Sequence, residues 1–345
     1  MKLAVLFGSS SNEHDVSVVS ACSIIKNLDK RKYDITPIYL DHENQFYLWD
    51  IDISNVDVIK IGVMPEPLKR IDDPFSFLKR FDCVFLMIHG KNGEDGILAS
   101  IFEFLHIPYV GNQPASSIIT MDKIYTKDLL ELNHIKTTEY LSFMKYQDYY
   151  ILDGSFYNFK ELLNLILKKI TFPMFVKPAN SGSSIGVFKV NQSDELERAI
   201  KEALKIDERI LIEKAIKGRE LECAILERGR KVLASCVGEV LPLDDFYSYT
   251  AKYKSNESKT IIPADISNSE EKQIQNIAIR AFQILNLHGY SRIDFFLTDD
   301  HQILLNEINT IPGFTEISMY PKLWEETGIP YSELLDILIH ESIRK

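Results

Sequence analysis

The chain has 345 residues, enough for two or three domains with ample core. Its 45% hydrophobic and 26% charged content is that of a soluble globular protein, and a net charge of -11 argues against a general nucleic-acid binder. The cysteines Cys22, Cys83, Cys223 and Cys236 lack metal-binding spacing and suit a reduced, cytoplasmic protein, and no apolar run approaches the roughly 20 residues of a membrane span.

KLAVLF at residues 2–7 reads as a short buried strand, followed by the polar loop GSSSNEHD and a helix over VSVVSACSIIKNL. Strand, Gly-containing loop and helix open a doubly wound α/β unit, although no G-x-G-x-x-G fingerprint is present. Glu13 stands just before the helix. There it either favours the helix dipole or offers a counter-charge to a substrate ammonium. YDITPIYLD is a second strand, a polar stretch follows, and FDCVFLMIHG is a third strand ending at His89. Ligands of open α/β sheets bind beyond strand C-termini, which is where Glu13 and His89 both fall. IPYVG is another strand, and Pro114 marks the edge of the first domain.

SSIITMDKIYTKDLLELN is expected to form one helix carrying Lys123 and Lys127. The aromatic stretch EYLSFMKYQDYYILDGSFY reads as irregular. Asn158 and Glu161 form a capping box for the next helix. FPMFVKPANSGSSIGVFKV then reads as strand, Gly/Ser loop, strand. Its backbone N–H groups can turn inward as an anion nest, with Lys177 on the adjoining strand. Ser193 is expected to cap the following helix. RILIEKAIKGRELECAIL gives two strands around a Lys-Gly turn, with Glu213 and Glu220 placed either as solvated strand-edge charges or as partners of an adenine amino group and ribose hydroxyls. Residues 244–260 form a long polar, aromatic loop of lid length. Ser267 with Glu270 starts a helix, and Ser332 is expected to cap the last one.

Between these helices lies SRIDFFLTDDHQILLNEINTIPG, two β-rich runs around a turn. A four-residue loop, 299–302, puts Asp294 opposite Glu307 and groups them with Asn309. Opposed carboxylates repel, and buried ones are costly unless paired or metal-bound. Hard oxygen ligands suit Mg2+ or Mn2+ shared with substrate phosphates.

FGSSSNEHDVSVVSA, HGKNGEDG, MDKIYTK, FVKPANSGSSIGV, EKAIKGREL, AKYKS, GYSRIDFF and NEINTIPGFTEISMYP occur in this order, and together they resemble the D-alanine–D-alanine ligases of the ATP-grasp superfamily. The resemblance runs from residue 3 to about 340 and implies an α/β chain, α+β in places, with a three-domain ATP-grasp fold. Residues 1–111 would be a doubly wound parallel-sheet domain binding the first D-alanine, 112–217 a central ATP-grasp lid domain, and 218–345 a C-terminal domain with the metal and second-substrate sites. It implies ATP-dependent formation of D-alanyl-D-alanine for peptidoglycan, by a cytoplasmic homodimer using two Mg2+ or Mn2+ ions and small-molecule substrates, with no nucleic-acid or membrane partner. By motif, Asp294, Glu307 and Asn309 match the metal ligands, and Lys123, Lys177 and Lys252 the phosphate-contacting lysines. Glu213 with Lys214, Ala215 and Ile216 matches the adenine site and Glu220 the ribose site, while Ser183, Ser184, Asn306 and Glu307 also line the ATP site. Glu13, Ser183 and Tyr253 would form a group that shuts the lid, with Glu13 holding the first D-alanine ammonium beside His89. Ser318 and Met319 would meet the second D-alanine, and Arg292 with the Gly313 N–H would form the oxyanion hole.

The chain departs from the family pattern at Ala-Asn-Ser-Gly after Lys177, at ILASIFEF after HGKNGEDG, and at Met319-Tyr320-Pro321, where Leu-x-Pro is more frequent. D-serine or D-lactate as second substrate, another dipeptide ligase, and a non-catalytic nucleotide-binding module are the alternative readings. Tyr253 favours D-alanine, since the D-lactate relatives lack this tyrosine.

Overall fold

A computed structural model describes residues 1–53, 56, 62–241 and 259–344. The first sheet is built from β1 (Lys2–Gly8), β2 (Asp34–Leu40), β3 (Phe46–Trp49), β4 (Leu68–Arg70), β5 (Cys83–Met87) and β6 (Tyr109–Val110), in the order β4-β3-β2-β1-β5-β6. Strands β2, β1, β5 and β6 are parallel, and α1 (His14–Asn27) and α3 (Ile97–Leu105) connect them. Leu3 to Phe7 are wholly buried, which is why β1 is a continuous apolar run and not an alternating one. Two antiparallel edge strands, β3 and β4, lie in the stretch read as polar, with a short helix α2 (Pro74–Leu78) after them. Strands of three and four residues carry too little pattern to stand out.

The second sheet runs β11-β10-β12-β7-β8-β9, where β7 is Tyr140–Tyr146, β8 Tyr149–Leu152, β9 Ser155–Tyr157, β10 Met174–Pro178, β11 Phe188–Val190 and β12 Arg209–Lys214. The aromatic stretch read as irregular is thus a three-stranded meander. Tyr146, Tyr149 and Phe156 hold its solvent face, so the expected alternation of apolar and polar residues is absent. Helices α6 (Phe159–Lys169) and α7 (Ser193–Ala203) bury Leu162, Ile166, Leu196 and Ile200 against Val176 and Ile212.

The third sheet runs β15-β14-β13-β16-β17, from β13 (Gly218–Arg228), β14 (Lys231–Leu241), β15 (Lys259–Ile261), β16 (Tyr290–Thr298) and β17 (Ile303–Asn309). Helix α8 (Asn268–Ile284) packs on it through Ile274, Ala278 and Phe282. Helices α9 (Met319–Glu326) and α10 (Tyr331–Ile343) join the core of the first sheet, where Trp324, Leu334 and Leu338 share one apolar cluster with Leu3 and Phe85. The three sheets thus use strands from residues 2–110, 140–214 and 218–309 in turn, and the C-terminal helix packs back on the first.

Three local expectations need correction. The helix read across residues 116–133 is two helices, α4 (Pro114–Met121) and α5 (Lys123–Leu132). Asp122 breaks it in extended conformation, accepting the N–H groups of Ile124 and Tyr125 at 3.0 Å each. Ser193 is the first residue of α7, whose N-cap is Gln192. The adjacent Asn191 N–H is met instead by the Glu195 carboxylate at 2.7 Å. Ser332 lies inside α10, which begins after Pro330, because the Pro330 carbonyl already accepts the Leu334 N–H at 2.9 Å.

Both capping boxes are present. Hydrogen bonds from Ser267, joined by His301, hold the Glu270 carboxyl down at about 2. A folded value below the ordinary one stabilises above pH about 4.5, and that contribution is lost as pH falls toward 2. Glu270→Gln is accordingly expected to be less stable than the parent at pH 7 and equal to it near pH 2, as read from urea midpoints across that range.

Candidate functional site

The acidic hairpin sets the geometry. Asp294 pairs with Glu307 and Arg292 with Asn309 across β16 and β17, and residues 299–302 form the loop. On the other side Asp294 pairs with Glu222 of β13, a residue the sequence reading left out. Three carboxylates thus stand side by side on neighbouring strands. Arg292 answers two of them: its Nε and Nη2 donate to Asp294 at 2.7 Å each, and Nε lies 3.0 Å from Glu222. Asn309 Nδ2 donates to Asp294 at 3.0 Å. Among the described residues no three His, Cys, Asp or Glu side chains could hold a metal by themselves. Asp294, Glu307 and the Asn309 amide nevertheless form a hard-oxygen donor set that fits a divalent cation completing its shell with substrate oxygens.

A cavity of about 600 Å3 opens between the second and third sheets. Lys123, Lys177, Ser183 and Ser184 line one side, with Asp294, Asn306 and Glu307 across from them. Glu213, Lys214, Ala215, Ile216 and Glu220 close its far end. The Gly/Ser turn places Ser183, Ser184 and Gly186 at φ 51°, 59° and 72°, in the left-handed region, and two of the N–H groups expected in an anion nest close the turn itself: Ile185 donates to the Gly182 carbonyl at 3.1 Å and Val187 to the Ser184 carbonyl at 3.3 Å. Lys123 Nζ donates to the Ser181 carbonyl, and burial pushes its pKa down against the pull of Glu307. Lys177 Nζ pairs with Glu213, which is buried, and Lys127 reaches the same carboxylate at 2.8 Å. Burial opposes ionisation of Glu213, but the two lysines overcome it and hold the carboxyl well below its usual range.

A second cavity of about 260 Å3 adjoins the first. Glu13, His89, Arg292, Gly313, Ser318 and Met319 all line it. Glu13 is the N-cap of α1 but makes no side-chain cap bond; it accepts a hydrogen bond from Ser183 Oγ instead. Gly90, at φ 66°, passes so close that a Cβ there would come 2.7 Å from Glu13 Oε2. His89 is buried, with Nδ1 2.8 Å from the Ile311 carbonyl and Nε2 3.3 Å from Ser20 Oγ. Burial would lower its pKa, but the adjacent Glu94 and the charge of Glu13 raise it above the ordinary value. Glu94, missed in the sequence because a carboxylate in a Gly-rich loop looks solvated, lines this cavity too, and burial pushes its pKa up. Ser318 Oγ accepts the Thr315 N–H at 3.0 Å, beside Gly313.

Lys252, Tyr253 and residues 244–258 of the expected lid lie outside the described residues, and Lys259 and Thr260 belong to β15. Lys123, Ser181, Ser183, Glu222 and Glu307 line both cavities. A charged group at the end of one ligand would meet a second ligand across that shared wall.

Family models match over most of the chain: the D-ala D-ala ligase N-terminus over residues 2–112 and the D-ala D-ala ligase C-terminus over residues 135–340. A D-alanine–D-alanine ligase of Caldicellulosiruptor bescii is 42% identical, covering 100% of this chain and 96% of its own. Among solved structures, the D-alanine-D-alanine ligase from Coxiella burnetii aligns with TM-score 0.79 at 35% identity, over 100% of this chain and 94% of its own. The VanG D-Ala:D-Ser ligase from Enterococcus faecalis aligns with TM-score 0.84 at 33% identity, over 99% of each.

Proposed function

The chain belongs to the D-alanine–D-alanine ligase family, and on that footing we propose that it joins two D-alanine molecules into D-alanyl-D-alanine, a peptidoglycan precursor, while ATP becomes ADP and phosphate. The observation that carries this reading is the wall shared by the two cavities. A nucleotide in the larger one would present its γ-phosphate to a carboxylate in the smaller one.

A carboxylate is a poor acyl donor. Transfer of the γ-phosphoryl group to one of its oxygens releases ADP and makes an acyl phosphate. Lys123 and Lys177 neutralise the phosphates in place, so most of the catalysis is positioning and charge stabilisation. Glu13 holds the ammonium of the first D-alanine, and its bond with Ser183 ties that site to the phosphate turn. Ser318 and Met319 orient the second D-alanine, whose amine attacks the acyl carbon. The Arg292 guanidinium and the Gly313 N–H receive the oxyanion that forms, which collapses as phosphate leaves. Glu213 with residues 214–216 and Glu220 take the adenosine end. Asp294, Glu307 and Asn309 would hold Mg2+ or Mn2+, which supplies positive charge to the phosphate oxygens when bound.

We extend the proposal to the cytoplasm, in line with four cysteines none of which is in a disulfide, and to a homodimer, as the family resemblance implies. No helix among the described residues is long and apolar enough to cross a membrane. The test is purified protein with ATP, Mg2+ and D-alanine, followed by phosphate release and product mass. Dipeptide formed in step with phosphate is expected, and no phosphate above background overturns the reading. The likeness to a D-Ala:D-Ser ligase makes D-serine the control that matters. Mixed D-Ala-D-Ser in excess of D-alanyl-D-alanine at equal substrate would reassign the second subsite.

A further inference from the structure

Lys127 lines neither large cavity but a small pocket of about 20 Å3 beside Lys177 and Glu213, and it is among the most buried charges of the described residues. Its Nζ lies 2.8 Å from Glu213 Oε1 and donates to Thr138 Oγ1 at 2.6 Å, and the Tyr140 ring centre is 5.4 Å away. Thr138 Oγ1 in turn donates to Glu213 Oε1 at 3.2 Å. The other oxygen, Oε2, pairs with Lys177, which lines the nucleotide cavity. One buried carboxylate is therefore held between a lysine inside the cavity and a lysine behind it.

We propose that Lys127 is a positioning residue for nucleotide binding, sharing the charge of Glu213 so that Lys177 is free to turn to a phosphate. The inference deepens the functional reading above and rests on it. A buried carboxylate that loses one of two cations draws harder on the other. Without Lys127, the pairing of Glu213 falls on Lys177, and every phosphate contact of Lys177 must compete with it. With Lys127 present, Oε1 is satisfied from behind by an ammonium and a hydroxyl. Lys177 then exchanges one anionic partner for another at small net cost. Thr138 and Tyr140 keep the Lys127 ammonium in place, so the arrangement exists before any ligand arrives.

The test is Lys127→Met, which keeps the side-chain volume and removes the charge. The KM for ATP is expected to rise about tenfold while the KM for D-alanine stays within about twofold, and Lys127→Arg should recover most of the loss. A general packing defect would not divide the two KM values in this way. Glu213→Gln carries its own cost at the adenosine end, so the double variant Lys127→Met with Glu213→Gln is read as a cycle: its loss of ATP affinity should be smaller than the two single losses added. An unchanged ATP KM in Lys127→Met, or a double variant as weak as the sum of the singles, overturns the inference. If Lys127→Met does not fold, Lys127→Gln decides alone: an ATP KM raised severalfold with the D-alanine KM unmoved supports the inference, and an ATP KM within about twofold of the parent overturns it. Calorimetric ATP binding is measured beside turnover. A parent protein that binds ATP but ligates no D-alanine sinks the functional reading while leaving this one testable.

Discussion

Replacing Arg292 by methionine is expected to lower kcat about 100- to 1,000-fold, the cost of removing one preorganised donor from an oxyanion site. The residue is tied into the site from two sides. It forms two 2.7 Å hydrogen bonds with Asp294 and lies 3.0 Å from Glu222. Breaking a buried ion pair from one side leaves an uncompensated charge, worth about 3–5 kcal/mol of stability. Here two carboxylates lose their shared partner together, so a lower urea midpoint should accompany the lower kcat. Arg292→Lys separates the two effects. It keeps the positive charge but cannot bond both Asp294 oxygens with one planar fork. Most of the stability should return with Arg292→Lys, and less of the kcat. Steady-state kinetics with an urea titration of both variants checks this. An Arg292→Met enzyme within about threefold of the parent kcat would remove the guanidinium from the proposed mechanism.

Much of this arrangement was legible because short-range rules fix it. Four turn residues between two β-rich runs fix the hairpin to within one residue: the turn end pairs Leu297 with Ile303, and a bulge between Asp294 and Phe295 shifts the register so that Asp294 stands opposite Glu307. The spacings Asn158 to Glu161 and Ser267 to Glu270 marked helix starts by the same local logic. What escaped depends on distant partners. Glu222 reads as one more charge on a strand until β13 is seen beside β16, and Lys127 as a helix-surface lysine until β12 brings Glu213 to it. The break at Asp122 was visible in principle, as an N-cap residue type just before MDK's lysine. The apolar spacing continues through it, and helical periodicity outweighed the cap. The aromatic meander failed for the opposite reason. Its exposed face carries tyrosine and phenylalanine, so no alternation remained to be read.

The three-strand row of carboxylates leads to the second large effect. Glu307→Gln is expected to lower kcat by about two to three orders of magnitude, since a metal ion on transferring phosphate is worth several kcal/mol of charge stabilisation and about 1.4 kcal/mol is a factor of ten. The ligand-free protein should change little. Glu307 faces the Asp294 carboxylate, which repels it, and attracts Lys123, whose pKa it raises against burial. Removing its charge takes away one unfavourable and one favourable interaction, which act in opposite directions on stability. The nucleotide-bound protein behaves differently. Ligand at 100 times its Kd adds about 2.7 kcal/mol to the parent's stability, and a variant that has lost a metal ligand should lose most of that increment at the same Mg2+ and ATP concentrations. Thermal unfolding with and without MgATP therefore separates the roles. A small shift in the free Tm with a collapsed ligand-induced shift places the cation on this hairpin. An intact ligand-induced shift in Glu307→Gln, with chelator still abolishing turnover of the parent, would move the cation to other oxygens and leave the carboxylate row without the partner proposed for it.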